Sequence, residues 1–209
     1  MPYRKNLKIA AIGMLLLLAG CASLAKIIYP VITDPLKSKP GVYALDSDHA
    51  NIIFSLNHLG FSLHHGRFNK ISGSLELDTS APEASSLFIT INTASIDTNS
   101  QVLDDDLRSP KMFDAAAFPE ATFQSTVIRL TGDTTAVIEG MLNIKGVKKP
   151  VTIEATFIGS GVNPLNGLQT IGFSGKGSFK RSDFGLNEWL PFVGDDIALI
   201  IEAEFTRLK

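Results

Sequence analysis

The stretch NIIFSLNHLGFSLHHGRF, residues 51–68, alternates apolar and polar side chains and then turns back on itself. Ile52, Phe54 and Leu56 share one face of a strand, because side chains two positions apart point the same way. Gly60 interrupts the alternation, which is typical of a turn between two strands. The stretch therefore predicts the end of one strand, a turn and a second strand.

Three of the four histidines lie in this stretch, which raises the question of a metal site. His58 and His64 have the same parity along the chain, whereas His65 points to the opposite face. A zinc site needs three or four converging ligands, and only a tight turn could bring these three side chains together. We therefore expect no metal site here.

The same period of two recurs along the chain after residue 42, and Gly, Pro, Asn or Asp bounds each segment. GDT (132–134) and NPLNG (163–167) are typical of hairpin loops. Residues 99–121 lack the alternation and carry apolar residues at helical spacing, which indicates short helical turns. Some eight antiparallel strands with one helical excursion predict an all-β barrel or sandwich.

The N-terminal residues 1–20 combine three basic residues with a short apolar run at 9–18. The run is short for a membrane-spanning helix and has the composition of a cleaved signal peptide, with an anchor helix as the alternative. LAGC (18–21) resembles the lipobox of bacterial lipoproteins. This resemblance implies that Cys21 is acylated and becomes the first residue of the mature chain, anchoring it to a membrane. Cys21 is also the only cysteine, so an internal disulfide is excluded.

We expect three parts: a signal peptide (1–20), the lipidated cysteine with a tether (21–40), and one folded domain (41–209). Without residues 1–20 the chain would hold 16 basic and 21 acidic residues, because the signal segment contains three basic and no acidic ones. A nucleic-acid partner needs a basic surface, so this balance argues against one.

Phenylalanine accounts for 13 of the 17 aromatic residues. Such residues either fill a core or line a cavity, and composition alone leaves both open. Gly172, Gly175 and Gly177 lie in the same segment as Phe173 and Phe179, and glycine inside a strand leaves room where another group approaches. This segment favours a barrel with space inside it.

Several blocks, in order, resemble one family: YALDSDHANIIFSLNHLG (43–60), GRF (66–68), SIDT (95–98), LRSPKMFD (107–114), FPEATF (118–123), LNIKGVKKPV (142–151), FKRSDFGL (179–186) and VGDDIALIIEAEF (193–205). On these blocks the chain is identified as a member of the YceI-like family, the lipocalin-like polyisoprenoid-binding proteins of bacterial envelopes. The resemblance implies an elongated eight-stranded antiparallel barrel whose apolar lumen holds the tail of an isoprenoid quinone or polyprenyl lipid. It implies no catalytic residue and no cofactor.

Strand parity predicts which side chains face the lumen. His58 continues the inward row of its strand, either as a hydrogen-bonded interior histidine or as a contact for a lipid head group. The residues that we expect to line the lumen and to contact the lipid are Phe54, Leu56, His58, Leu75, Leu77, Ile89, Ile91, Leu142, Ile144, Ile153, Phe157, Phe173, Phe179, Leu199 and Ile201.

Other predictions concern charged residues and location. Arg67, Arg108 and Arg181 either pair with acidic turns at the surface or form a polar collar around a head group. The alternative function is an enzyme that modifies an isoprenoid lipid, with His58 or an aspartate of LDDDL (103–107) as acid or base. The lipobox implies a periplasm-facing lipoprotein, and Ala22 after the cysteine favours the outer membrane. A homodimer is left open.

Overall fold

The computed structural model describes residues 29–208. Its strands are β1 (Gly41–His58), β2 (Ser62–Phe68), β3 (Ile71–Leu77), β4 (Ser86–Asn92), β5 (Ile96–Asp97), β6 (Glu120–Leu130), β7 (Thr135–Ile144), β8 (Val147–Val162), β9 (Gln169–Lys180) and β10 (Asp196–Arg207). Within the same residues there is one α-helix, α1 (Gln101–Arg108), and there are 3₁₀ turns at Pro35–Lys37, Pro82–Ala84, Thr93–Ser95 and Arg181–Phe184.

The ten strand segments make up the eight strands of one closed antiparallel barrel. β2 and β3 both pair with β1 and together form one interrupted strand of the barrel. β4 pairs with β3, and β5 pairs with β2. β4 and β5 therefore also form one interrupted strand of the barrel. Each remaining strand pairs with the next in the chain, and β1 closes the barrel against β10. The predicted eight-stranded antiparallel barrel is confirmed.

A bulge divides the long strand β1 into a part that pairs with β3 and a part that pairs with β2. Leu45 lies opposite Phe205 and Ala50 opposite Ala203, so residues 46–49 face the single residue Glu204. Extra residues in one strand bend it and increase its local twist. Before the bulge β1 pairs with β3, and after it β1 pairs with β2.

The helical excursion covers part of one end of the barrel. α1 buries Leu107, which is 8% exposed, and Met112 just beyond the helix is 4% exposed. Both belong to a large apolar cluster that includes Phe184 and Leu186 from the segment after β9. The predicted helical turns in residues 99–121 are confirmed by α1.

The described part of the predicted tether lies on the barrel. Ile32 and Ser160 exchange backbone hydrogen bonds, and the hydroxyls of Ser38 and Ser160 lie 2.8 Å apart. Gly159 and Gly161 permit this approach, because a Cβ there would come within 2.6 Å of Val31 or 2.9 Å of the Pro30 carbonyl oxygen.

The predicted signal peptide and Cys21 lie outside the described residues. Among residues 29–208, the helices are all too short or too polar to cross a membrane.

Candidate lipid-binding cavity

A cavity of about 920 Å³ occupies the interior of the barrel. This volume is near the upper end of the range of roughly 300–1,000 Å³ that is usual for small-molecule sites. Its wall includes every residue that strand parity placed inside: Phe54, Leu56, His58, Leu75, Leu77, Ile89, Ile91, Leu142, Ile144, Ile153, Phe157, Phe173, Phe179, Leu199 and Ile201. Their predicted role as ligand contacts remains a prediction.

The alternation of the strands explains this wall. Leu199 and Ile201 of β10 line the cavity, whereas Ile200 between them is 46% exposed on the outer surface. The cavity-facing side chains in the middle of the barrel, such as Phe54 and Phe179, are only half-buried because they border the cavity. An apolar wall with this geometry suits an apolar ligand.

The glycines of β9 contribute less space than the sequence suggested. Gly175 lines the cavity, and a Cβ there would lie 3.3 Å from Ile153. A Cβ on Gly177 would lie 2.5 Å from the end of the Ile153 side chain, so a neighbouring isoleucine already fills that place. The expectation of free space is therefore wrong at Gly177.

One end of the barrel, here called the packed end, is built from Tyr43, Phe157, Ile171 and Phe205. Tyr43 is 0% exposed and its hydroxyl donates to the Lys39 carbonyl at 2.5 Å. Burial raises the pKa of this phenol, which keeps it a neutral donor. The Phe173 ring stands edge-on to Phe157 at 5.8 Å and to Phe205 at 6.2 Å between centroids. These contacts form a tightly packed aromatic cluster at this end.

The opposite end, here called the histidine end, carries His58 and His64 on the cavity wall. Their ring centroids are 6.3 Å apart, and His65 lies exposed on the other face. The Nε2 atom of His64 is buried and has no hydrogen-bond partner within the described residues. The side chain of His58 is exposed and forms no hydrogen bond within residues 29–208. The interpretation of His58 as a hydrogen-bonded interior histidine is therefore wrong.

Large apolar side chains surround the histidine end. Phe61 is 88% exposed and Phe192 is 71% exposed. Leu59, Trp189 and Phe192 line the cavity. The Leu59 amide donates to the Phe192 carbonyl, and the Gly194 amide donates to the Asn57 carbonyl. The β1–β2 turn and the 189–194 segment are thus held together beside the two histidines.

Arg181 braces the segment at this end. Its guanidinium donates to the backbone carbonyls of Leu186, Glu188, Val193 and Gly194 at 2.5–2.9 Å, and the residue is 3% exposed. Burial lowers the pKa of Arg181, and this effect outweighs the opposing influence of Asp195. The expectation of a surface arginine is wrong here, because the side chain is a buried internal brace.

The other two arginines lie nearer the surface and pair with acids. Arg67 approaches Asp97 at 3.5 Å, with both groups partly exposed. Arg108 contacts Asp105 at 3.1 Å and donates to the Ala94 and Ile96 carbonyls. Neither arginine lines the cavity within the described residues, which agrees with the surface-pairing interpretation.

The aspartates of LDDDL (103–107) either form hydrogen bonds or ion pairs with neighbouring residues or are exposed. Asp104 is 6% exposed and accepts hydrogen bonds from the amide and the hydroxyl of Thr98. Asp105 pairs with Gln101 and Arg108, and Asp106 is exposed. Within the described residues, none of the three lines the cavity.

Sequence reasoning missed the loop residues of the wall, including Met112, Leu186, Trp189 and Phe192. They lie outside the alternating segments, and only their apolar character could have drawn attention to them. It also missed a polar cluster on the outer wall, where Asp46, His49 and Glu204 place ligand-type atoms within 4.8 Å of one another. The hydrogen bond between the His49 Nδ1 atom and the Asp46 carboxylate, at 2.9 Å, raises the pKa of His49.

Comparisons with known proteins agree on one family. The family model described as "YceI-like domain" matches residues 43–205. The UPF0312 protein of Azotobacter vinelandii is 36% identical over 206 residues, which cover 98% of each chain. The crystal structure of BcnA from Burkholderia cenocepacia is 26% identical with a TM-score of 0.69, and the match covers 77% of this chain and 98% of BcnA.

A more distant structure has the same fold. It is described as a polyisoprenoid binding domain from Saccharophagus degradans implicated in plant cell wall breakdown. Its identity is 17% and its TM-score 0.60, and the match covers 79% of this chain and 98% of that domain. At this identity the likeness concerns the fold alone.

Proposed function

Because this chain belongs to the YceI-like family, we propose that its cavity binds the apolar tail of an isoprenoid lipid for storage or transport in the bacterial cell envelope. The observation that carries the proposal is the 920 Å³ cavity with its continuous wall of inward-facing apolar side chains. The polyisoprenoid-binding description of one structural neighbour supports the choice of ligand.

The energetics favour such a ligand. Each buried CH₂ group contributes about 0.8 kcal/mol, so each five-carbon isoprene unit contributes several kcal/mol in a dry cavity. A long prenyl tail can therefore be held without covalent chemistry. Rigid Phe, Leu and Ile side chains line the cavity from several strands, so the wall contacts the tail along its length.

Binding is favoured over catalysis by the placement of the acidic groups. An acid or base must come within hydrogen-bond reach of the reacting group. Asp104 is engaged by Thr98, and Asp106 lies outside the described cavity wall. His58 would then lack a carboxylate partner among the cavity-lining residues at its end of the barrel.

Two substitutions of alanine by phenylalanine test the proposal. Ala155 lines the cavity, whereas Ala198 is exposed on the outer face. Ala155→Phe should fill the cavity and reduce the bound lipid by more than half, at an overpacking cost of roughly 1–3 kcal/mol. Ala198→Phe should keep the lipid content of the wild type. The measurement is mass spectrometry of an organic extract, expressed as lipid per protein.

Two results would overturn the proposal. One is an extract of the wild-type protein, purified from its membrane, that contains no prenyl lipid. The other is an unchanged prenyl-lipid content in a folded Ala155→Phe protein.

We further propose that the chain is a lipoprotein anchored at Cys21 and facing the periplasm, in the outer membrane. LAGC (18–21) after a basic and apolar segment supports this assignment. Cys21→Ser should release the protein from the membrane fraction or leave it unprocessed at a larger mass. Membrane association and mature mass identical to wild type in this variant would contradict the anchor.

A further inference from the structure

We propose that the tip of the β8–β9 hairpin inserts into the interface of the bilayer that carries the anchor, so that the packed end faces this membrane and the histidine end faces away from it. The hairpin tip is defined here by four exposed apolar residues: Ile158, Val162, Leu165 and Leu168. The proposal rests on the proposed anchor at Cys21 and goes beyond it, because it names the protein surface that contacts the lipid.

The hairpin extends past its neighbour on one side of the barrel. β8 pairs with β7 only as far as Thr156, but it continues to pair with β9 as far as Val162. The turn that follows has its own backbone hydrogen bonds, from the Asn163 amide to the Leu168 carbonyl and from the Gly167 amide to the Asn163 carbonyl. The tip therefore projects from the packed end as a closed turn.

The surface of this projection is apolar and uncharged. Leu165 in the turn is 93% exposed, and Ile158 on β8 is 58% exposed. Residues 155–175 contain no acidic or basic side chain. The solvent-facing side of an antiparallel sheet is usually polar, and contiguous exposed apolar patches mark interaction sites. A lipid interface suits this surface, because apolar side chains enter it without needing a polar partner.

The N-terminal segment runs towards the same tip. Ile32 pairs antiparallel with Ser160 of β8. Two positions earlier in the chain, Pro30 lies beside Gly161, which is one position further along β8. Traced backwards, the chain therefore follows β8 towards the hairpin tip as far as Tyr29.

This course brings the anchor and the hairpin tip to one side of the barrel. Cys21 precedes Tyr29 by eight residues, which span at most about 29 Å when fully extended. Acyl chains on Cys21 must reach the bilayer, so Tyr29 and the tip beside it stay within that distance of the membrane surface. The apolar tip is thus the exposed surface that the anchor holds close to the lipid.

The histidine end is less suited to a lipid surface, although it also exposes Phe61 and Phe192. Residues 183–196 at that end include four acidic and no basic residues. An anionic bilayer has a negative surface potential and repels acidic groups within about a Debye length. The two ends therefore differ in charge, and the uncharged hairpin tip is the one that matches a bilayer.

The test identifies the end of the full-length acylated protein that contacts lipid. The protein is reconstituted into vesicles of phosphatidylethanolamine and phosphatidylglycerol, with or without bromine on the acyl chains, since bromine quenches tryptophan at short range. In the wild type the single tryptophan, Trp189 at the histidine end, should lose less than about a tenth of its emission. In Leu165→Trp, made in a Trp189→Phe background, the introduced indole should lose about half, because interfacial side chains lie roughly 5–10 Å into the boundary between head groups and acyl chains.

Leu63→Trp in the same background is the matched control. Leu63 lies on β2 at the histidine end and is 61% exposed, so both substitutions replace an exposed leucine. The control should show the small quenching expected of the wild type. Flotation of each protein with the vesicles is measured in parallel.

The outcomes separate the docking surface from the anchor. Protein that does not float with the vesicles would contradict both the anchor at Cys21 and the docking. If the protein floats but Leu165→Trp is quenched no more than Leu63→Trp, the anchor stands and the docking is overturned. A blue shift without quenching in Leu165→Trp would also overturn it, because protein, such as a second copy of this chain, would then cover the tip.

Discussion

The two ends of the barrel use the same kinds of apolar residue for different purposes. At the packed end, Tyr43, Ile171 and Phe205 are 0–3% exposed and interlock with neighbouring aromatic rings. At the histidine end, Phe61 and Phe192 are 88% and 71% exposed, near His64, whose buried Nε2 atom has no hydrogen-bond partner in residues 29–208. The difference indicates that the aromatic cluster of the packed end contributes more to stability, whereas the histidine end exposes apolar side chains beside the cavity.

Truncation of one phenylalanine at each end is the strongest test of this division. Phe205→Ala removes a ring that is 3% exposed and should lower the free energy of unfolding by about 3–5 kcal/mol. Phe192→Ala removes an exposed ring and should change it by no more than about 0.5 kcal/mol. Urea unfolding followed by circular dichroism measures both. Similar losses at the two ends would show that the histidine end is packed in solution.

The brace at the histidine end gives the next largest effect. Arg181→Met leaves four backbone carbonyls without their donor and should cost about 2 kcal/mol, since part of this loss is made up by water. Arg67→Met removes only the partly exposed pair with Asp97 and should cost less than about 1 kcal/mol.

Hydrogen exchange locates the effect of this substitution. In Arg181→Met the amides of Leu186, Val193 and Gly194 should exchange faster, while those of the packed end keep their protection. If both ends lost protection equally, Arg181 would stabilise the whole barrel and would not be a local brace.

The free energy of unfolding should depend on pH through Asp195, which directly precedes β10. Burial by itself would raise the pKa of Asp195, but hydrogen bonds from the Ser182 amide and hydroxyl, with the nearby Lys180 and Arg181, outweigh it and lower the pKa. A lowered folded-state pKa stabilises the protein above the unfolded value of about 3.9, and this contribution is lost as pH falls through the folded value.

Asp195→Asn should therefore reduce the loss of stability on acidification. The difference in free energy of unfolding between wild type and variant should be present at pH 7 and shrink towards pH 3. Denaturant titrations at the two pH values measure it. A difference that is the same at both would show that the carboxylate charge of Asp195 makes no contribution.

The sequence predicted the wall of the cavity well because strand parity is a local property. Phe54 and Leu56, or Leu199 and Ile201, share a face whatever the rest of the chain does. The eight-stranded barrel followed from the same alternation together with the family resemblance.

What the sequence could not predict depends on contacts between distant segments. Arg181 resembles any surface arginine until Val193 and Gly194 fold over it. Ile153 occupies the place beside Gly177 because β8 pairs with β9 at that register. The exposed state of His58 depends on how the 189–194 segment lies against the β1–β2 turn.

The most direct measurement is the position of a bound prenyl lipid, read from nuclear Overhauser contacts in the isotope-labelled protein. The account predicts contacts from the isoprene methyls to inward-facing residues such as Phe54, Phe157 and Phe173, all on the cavity wall. Contacts confined to outward-facing residues such as Ile200 would contradict binding inside the barrel.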